Sequence, residues 1–253
     1  MRLKDRVAII TGGGKGIGKV YAERFAQEGA KVVVADIDFG AAEDTVEQIK
    51  NNGGNAIAVF VDVSENNSTL EMAHKAYDTF GSIDILINNA SLMSVLPRRP
   101  WIEIPIEEWD KVMEVNVKGL FLCSKAVYPY MKNNKYGKIV NISSTRVWDG
   151  TPNRLHYTSS KAAVIGFTRA LAREVGEDYI CVNAITPGLT ASETQLKETD
   201  PKYFENHPSN LLKSIKRMQV PEDLVGAVLF LSSPDSNFIT GQTINIDGGT
   251  NMH

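Results

Sequence analysis

The chain has 253 residues, 43% of them apolar, and a net charge of -3 at neutral pH, enough apolar content to bury one substantial α/β core. Its lysines and arginines are scattered among acidic residues, which excludes a nucleic-acid track or a polybasic membrane patch and leaves a small molecule as the expected partner. Cys123 and Cys181 sit in apolar runs and make no disulfide framework, no apolar stretch approaches about 18 residues, and no export signal is visible, so the expectation is a soluble cytoplasmic protein.

The first β-rich run, Val7 to Ile10, passes through TGGGKGIG (residues 11 to 18) into a helical pattern over Ile17 to Gln27. Further runs at Lys31 to Ala35, Ala56 to Val61 and Ile83 to Ile87 alternate with helices over Ala41 to Asn51, Ser68 to Phe80 and Ile106 to Lys132. Lys138 to Ile142 then precedes a helix over Tyr157 to Val175, and Ile180 to Ile185 precedes the polar and aromatic stretch Leu189 to Gln219. A helix over Pro221 to Leu231 and a last strand, Thr243 to Ile246, complete the chain. Seven near-continuous apolar runs alternating with amphipathic helices predict a doubly wound seven-stranded parallel sheet with helices on both faces. Pro105 and Pro221 mark helix starts, while Gly29, Gly53 and Gly81 mark helix ends. No linker or repeat divides residues 1 to 253, so a single domain is expected, with the stretch at about 189 to 219 as a substrate lid.

The spacing of Gly12, Gly16 and Gly18 between a strand and a helix suits a pyrophosphate, which would meet backbone N–H groups and the positive end of the helix. A plain glycine turn would look the same. Asp36, however, ends the second run 20 residues after Gly16, where its carboxylate can accept both hydroxyls of an adenosine ribose. It would also repel a ribose phosphate, since two like charges ~4 Å apart at an effective dielectric of 20 cost roughly 4 kcal/mol. NAD is therefore expected over NADP. Lys15 points the other way, because a lysine in this loop can pair with the extra phosphate or simply support the pyrophosphate.

Tyr157 and Lys161 stand four residues apart at a predicted helix start, so both project from one face. A phenol is a poor base at neutral pH, and a neighbouring ammonium favours its phenolate. Such pairs also occur on ordinary surface helices. His74, His156, His207 and His253 show no metal-ligand spacing, no nucleophile-elbow motif occurs, and no metal is expected. His156 is expected as a partly exposed helix-start residue.

Several segments carry a resemblance in the right order along the whole chain. TGGGKGIG, Asp62-Val63, Asn88-Asn89-Ala90, Asn116, Ser144, Tyr157-x-x-x-Lys161, Pro187-Gly188 and the terminal GQTINIDGG are similar to the motifs of the classical short-chain dehydrogenases/reductases, Rossmann-type oxidoreductases. The resemblance implies a catalytic set of Asn116, Ser144, Tyr157 and Lys161. It implies cofactor contacts at Gly12, Lys15, Gly16, Ile17 and Gly18, and at Asp36, Ile37, Asp62 and Val63 on the adenosine side. Asn89 and Ala90 would meet the ribose region, Thr190 and Ser192 would hold the carboxamide, and Pro187, Gly188, Tyr157 and Lys161 would also touch the cofactor. The chain departs from the pattern at Ser91, where glycine is usual, and at Ser192, where threonine is common.

In this family's chemistry Tyr157 would take the hydroxyl proton as hydride leaves the carbinol carbon, Ser144 would bond the substrate oxygen, and Asn116 would hold a water on the proton path. Ser143 is one residue off the spacing and is expected to point elsewhere. The substrate is expected to meet Ser144, Trp148, Asn153, Leu155, Tyr157, Leu92 and Met93, with Leu189, Tyr203, Phe204, Leu211 and Leu212 from the lid. These side chains suit a medium-sized hydrophobic or cyclic alcohol, and STRVWDGTPNRLHY and GGTNMH resemble bacterial NAD-dependent members acting on secondary and aromatic alcohols. Arg146, Arg154 and the Arg98-Arg99 pair serve an anionic substrate or face solvent; the sequence leaves both open. The alternatives are a 3-oxoacyl-carrier-protein reductase using NADPH and a non-catalytic dinucleotide sensor. By resemblance the assembly is a homotetramer, with Ile106 to Lys132 and Tyr157 to Val175 between subunits.

Overall fold

In the computed structural model, which describes residues 1–198, 201–205, 207 and 209–252, seven parallel strands stand in the order β3-β2-β1-β4-β5-β6-β7. They are β1 (Val7–Thr11), β2 (Lys31–Asp36), β3 (Asn55–Phe60), β4 (Ile85–Asn88), β5 (Gly137–Ile142), β6 (Ile180–Pro187) and β7 (Thr243–Ile246). The chain works outward from β1 to β3, then returns to lay β4 on the other side of β1, with Ile9 opposite both Val33 and Leu86. Strand order therefore reverses between β1 and β4, and the crevice beyond the C-terminal ends of these strands is where a doubly wound sheet takes its ligand.

The unbroken apolar runs follow from burial on both sides. Ala8, Ile10, Val32 and Val34 pack into one core with Tyr21 and Phe25 of α1 (Gly16–Gln27) and Leu224 and Val228 of α11 (Glu222–Ser232). The alternate residues Ile9, Val33 and Leu86 pack into the other, against Met72 of α3 (Asn66–Phe80) and Val127 of α5 (Gly119–Asn134). Each buried Val, Leu, Ile, Phe or Met side chain contributes roughly 1.5–3 kcal/mol. The α2 helix (Phe39–Asn51) starts where the Asp38 carboxylate accepts from the Ala41 N–H at 3.1 Å. Gly81 ends α3 with a φ of 77°, a turn that a residue with a Cβ adopts only under strain.

The helix expected over Ile106 to Lys132 is unbroken but is not α-helical throughout. It runs as α4 (Ile106–Met113), a π-helical turn over Glu114–Lys118, and α5. One wider turn shifts the phase of the helix, and Asn116 sits within it, its amide committed to neighbouring chain rather than to the helix surface.

The segment after β6 is a closed excursion. Thr190 bridges Gln219 in parallel, the Ala191 N–H donates to the Gln219 carbonyl at 2.9 Å, and the Gln219 side chain donates to the Ile246 carbonyl at 2.8 Å. Between these tied ends lie α8 (Glu193–Glu198), α9 (Pro201–Glu205) and α10 (Ser209–Leu212). Residues 199, 200, 206 and 208 of the expected lid fall outside the described residues.

Candidate active site

A cavity of about 580 Å3 opens at the C-terminal ends of β1, β4, β5 and β6, between the start of α1 and the segment after β6. Its floor at one end is the glycine-rich turn. Gly12 has a φ of +61°, and a Cβ on Gly18 would lie 2.0 Å from the Gly12 carbonyl oxygen, so α1 begins this close to β1 only with glycine there. Lys15, the residue before α1, makes no side-chain cap, which leaves the first N–H groups of the helix without a capping partner. Lys15, Gly16, Ile17 and Gly18 all line the cavity. An uncapped helix start behind a glycine turn fits the pyrophosphate of a dinucleotide.

Asn89 and Ala90 tie the switch point together. Both backbone N–H groups donate to the Thr11 hydroxyl at 3.1 Å, and the Asn89 amide donates to the carbonyls of Thr11 and Gly12, each at 3.0 Å. Asn89 also lines the cavity, whereas Gly12 and Ala90 do not.

Asp36, at the end of β2, accepts from the Gly14 N–H and the Asp38 N–H, each at 2.9 Å. A carboxylate offers roughly four acceptor positions, so two remain for ribose hydroxyls. Lys15, the dissenting charge, is engaged: its Nζ lies 2.5 Å from Asp38 Oδ2, which raises the ammonium above its ordinary value and lowers the carboxyl. Ile37 is exposed beside this pair. Asp62 is turned onto Ser64, accepting from its N–H at 2.9 Å and its hydroxyl at 2.6 Å, and Val63 is buried against Gly119. Asp36, Ile37, Asp62 and Val63 lie outside the cavity wall.

At the other end Ser144, Tyr157 and Lys161 line the cavity together. Tyr157 and Lys161 lie on successive turns of α7 (Leu155–Glu174), with Lys161 Nζ 5.7 Å from the phenol ring centre. Lys161 Nζ donates to the Ile142 carbonyl at 2.9 Å, and the Ser143 hydroxyl donates to the Lys161 carbonyl at 2.7 Å, so the end of β5 grips the lysine from both sides. Burial pushes the Lys161 ammonium down to about 7. Burial also pushes the Tyr157 phenol up, while the Ser144 hydroxyl and the Arg146 and Arg154 guanidiniums act to lower it. Sequence spacing pointed only to Lys161 for that last effect, whereas the charges that act on Tyr157 are Arg154, three residues before it at the start of α7, and Arg146 from the short helix after β5.

Asn116 does not line the main cavity. Its Oδ1 accepts from the Leu92 N–H at 2.8 Å, and its amide donates to the Leu92 carbonyl at 3.2 Å and to the Ser160 hydroxyl at 3.0 Å. Ser160 in turn donates to the Tyr157 carbonyl at 2.7 Å. His156 corrects an expectation: it is fully buried, with Nε2 3.1 Å from Glu108 Oε1 on α4, and Glu108 also pairs with Arg99. A contact spanning 48 residues buries it, which helix geometry around Tyr157 alone does not reveal.

Pro187, Gly188, Thr190 and Ser192 line the cavity, as do Leu189 and Tyr203 of the expected lid. Of the expected substrate contacts, Met93 lines it, whereas Leu92, Trp148, Asn153 and Leu155 do not. The Leu92 backbone serves Asn116, the Trp148 indole donates to the Thr186 hydroxyl at 3.4 Å, and the Asn153 carbonyl accepts from the Arg99 N–H. Leu155, Leu211 and Leu212 are exposed, and Phe204 is buried away from the cavity. Among the described residues, no group of His, Cys, Asp and Glu is arranged to hold a metal, and no helix is long and apolar enough to cross a membrane.

A family model described as Enoyl-(Acyl carrier protein) reductase matches residues 12–251. The chain is 39% identical to (2S)-[(R)-hydroxy(phenyl)methyl]succinyl-CoA dehydrogenase subunit BbsD of Thauera aromatica, over 100% of this chain and 99% of that protein. It is 36% identical to the 3-oxoacyl-[acyl-carrier-protein] reductase FabG of Thermotoga maritima, over 98% of this chain and 99% of that protein. It is 37% identical to glucose 1-dehydrogenase 2 of Bacillus subtilis, over 99% of this chain and 96% of that protein. Full-length likeness on a fold of this topology leaves one conclusion: the chain belongs to the short-chain dehydrogenase/reductase family of nicotinamide-dependent oxidoreductases.

Proposed function

We propose that the protein interconverts a secondary alcohol and a ketone with NAD(H), acting on a medium-sized hydrophobic or cyclic substrate, with Tyr157 as the acid and base. The observation that carries this reading is the sharing of one cavity by the uncapped start of α1 and by Ser144, Tyr157 and Lys161. A nicotinamide bound here would supply the hydride acceptor in oxidation of the carbinol carbon and the hydride donor in the reverse direction.

In oxidation the Tyr157 phenolate takes the hydroxyl proton, and in reduction the phenol gives it back. Ser144 holds the substrate oxygen beside it. Burial holds the Tyr157 phenol above its ordinary value, and the Ser144 hydroxyl, Arg146 and Arg154 oppose that shift in part. Lys161 is held by the Ile142 carbonyl at the inner wall, where it would hold the ribose of a bound nicotinamide. A void of about 10 Å3 lined by Asn116 and Lys161 is close to the volume one water needs, and supports a relay water there.

Asp36 with two acceptor positions left, and a Lys15 already engaged by Asp38, favour NAD. The relatives named as dehydrogenases of a hydroxy(phenyl)methyl compound and of glucose support a ring-bearing alcohol. We place the enzyme in the cytoplasm as a homotetramer, with exposed Phe121 on α5 and Ile106 on α4 on the covered faces. The test is a panel of alcohols with NAD+ and ketones with NADH, followed by nicotinamide absorbance and repeated with the phosphorylated cofactors. Turnover with NAD(H) that Tyr157→Phe abolishes is expected. Turnover confined to NADPH and 3-oxoacyl thioesters would make the protein a 3-oxoacyl-carrier-protein reductase, and binding without any turnover would make it a sensor.

A further inference from the structure

Arg98, Arg146 and Arg154 come from three separate segments and line the same cavity. Arg98 belongs to the connection between β4 and α4, Arg146 opens the short helix α6 (Arg146–Asp149) after β5, and Arg154 immediately precedes α7. Among the described residues, arginine–carboxylate ion pairs form at Arg6, Arg99 and Arg217, and none forms at these three. The two aspartates on the cavity wall are engaged elsewhere. Asp149 accepts from the N–H and hydroxyl of Thr151, and Asp247 accepts from the N–H groups of Gly249, Thr250 and Asn251.

Among the described residues the half-buried Arg146 and Arg154 therefore form no ion pair, although the Asp149 charge favours the charged form of Arg146. Burial and neighbouring arginines both work against the charged form of each guanidinium. Their protein contacts use only part of their capacity. Arg146 Nη1 donates to the Thr151 carbonyl at 3.1 Å, and Arg154 donates to the Leu96 carbonyl at 2.7 Å and to the Met93 sulfur. A guanidinium carries five N–H donors, and Arg154 Nε is buried with no partner. Arg98 is stacked on the Tyr203 ring at 4.7 Å and donates to its hydroxyl, which draws α9 toward the same corner. Like-charged guanidiniums half-buried around one cavity repel one another, a bound anion relieves that repulsion, and Arg matches a carboxylate through two parallel hydrogen bonds.

We propose that this corner of the cavity binds a carboxylate carried by the substrate, making the substrate the hydroxy or oxo form of an organic acid. Arg146 and Arg154 are the direct ligands, and Arg98 completes the positive rim. Arg146, Arg154 and Tyr157 line one cavity, so a carboxylate held by the two arginines lies on the same substrate as the reacting carbon. The alcohol and ketone part rests on the redox reading of this cavity, while the carboxylate part rests on the arginines alone.

Calorimetry separates the two. Phenylacetate is expected to bind the full-length protein about tenfold or more tightly than its neutral amide, phenylacetamide. That preference is expected to vanish in Arg146→Gln and in Arg154→Gln and to return partly in Arg146→Lys, with melting curves reporting folding of each variant. Arg146 has the fewer structural contacts, so its variant decides the outcome should Arg154→Gln unfold. Saturating ADP, which takes the α1 end, is expected to leave phenylacetate binding in place. Equal affinities for acid and amide, absence of binding by either, or displacement by ADP overturns the proposal whatever the turnover. Turnover adds a second measure: benzoylpropionate is expected to exceed propiophenone in kcat/KM by about tenfold, and that ratio is expected to fall in Arg146→Gln. Carboxylate-selective binding with no reduction of any ketone would sink the redox reading and leave the anion site standing.

Discussion

The Asn116 amide donates to the Ser160 hydroxyl at 3.0 Å, and through it reaches the backbone of Tyr157. The π-helical turn over Glu114–Lys118 brings Asn116 to this place, and α7 presents Ser160 one turn beyond the tyrosine. Ser160 thus acts as a positioning residue. Its replacement leaves the Asn116 amide short of a partner in a buried setting, a loss of roughly 1–3 kcal/mol. Ser160→Ala is expected to lower the melting temperature by several degrees and kcat by about tenfold, with a smaller change in cofactor Kd. Unaltered kcat in a folded Ser160→Ala protein would remove the role assigned to this contact.

Gly18→Ala tests the cradle. Its Cβ would lie 2.0 Å from the Gly12 carbonyl oxygen, which is backbone and already accepts from Asn89. Loss of more than about 2 kcal/mol of stability and of measurable dinucleotide binding is expected. Gly226→Ala on α11, where an added Cβ meets nothing within 4 Å, is the control and is expected to keep or raise stability. A Gly18→Ala protein that binds NAD normally in calorimetry would rule out close approach of backbone and pyrophosphate here.

Cofactor choice is expected to follow the acids around Lys15. Asp36→Ala removes the carboxylate that opposes a ribose phosphate, and the ratio of kcat/KM for NAD to that for NADP is expected to fall at least about tenfold. Adding Asp38→Asn frees Lys15 from its 2.5 Å partner and is expected to carry the ratio further the same way. Unchanged preference in the double variant would show that other groups choose the cofactor.

Lys161 links the site to pH-dependent stability. Burial lowers its folded-state pKa to about 7 from an ordinary 10.5, so between these values the unfolded chain binds more protons than the folded one and stability rises with pH. The penalty of burying the ammonium is full below pH ~7 and fades as pH approaches the unfolded value. Lys161→Met is therefore expected to melt at a higher temperature than the parent at mildly acid pH, with the gain shrinking steadily into the alkaline range. A gain that is constant with pH, or one that grows, contradicts a buried lysine of lowered pKa.

Much of the fold is legible in the sequence because its causes are local. Strands such as Lys31–Asp36 read as continuous apolar runs since helices cover both faces of the sheet, and helix ends such as Gly81 carry the residue their backbone angle demands. The expected and observed starts of α1 differ by one residue. The π-helical turn has no such signature, because the amphipathic pattern of Ile106 to Lys132 continues through it and only the contact of Asn116 with Leu92 marks the change of phase.

The candidate site divides along the same line. By itself the sequence determined that Tyr157 and Lys161 share a helix face and that a glycine turn meets a helix start, since three- and four-residue spacings are properties of one helix and need no neighbour. Only the tertiary structure decided that Glu108 meets the buried His156, that Asp38 engages Lys15, and that Arg98, Arg146 and Arg154 meet around one cavity with no ion pair among the described residues. The physical reason is that burial and charge pairing are sums over whatever the fold brings near, and these partners lie up to dozens of residues away along the chain.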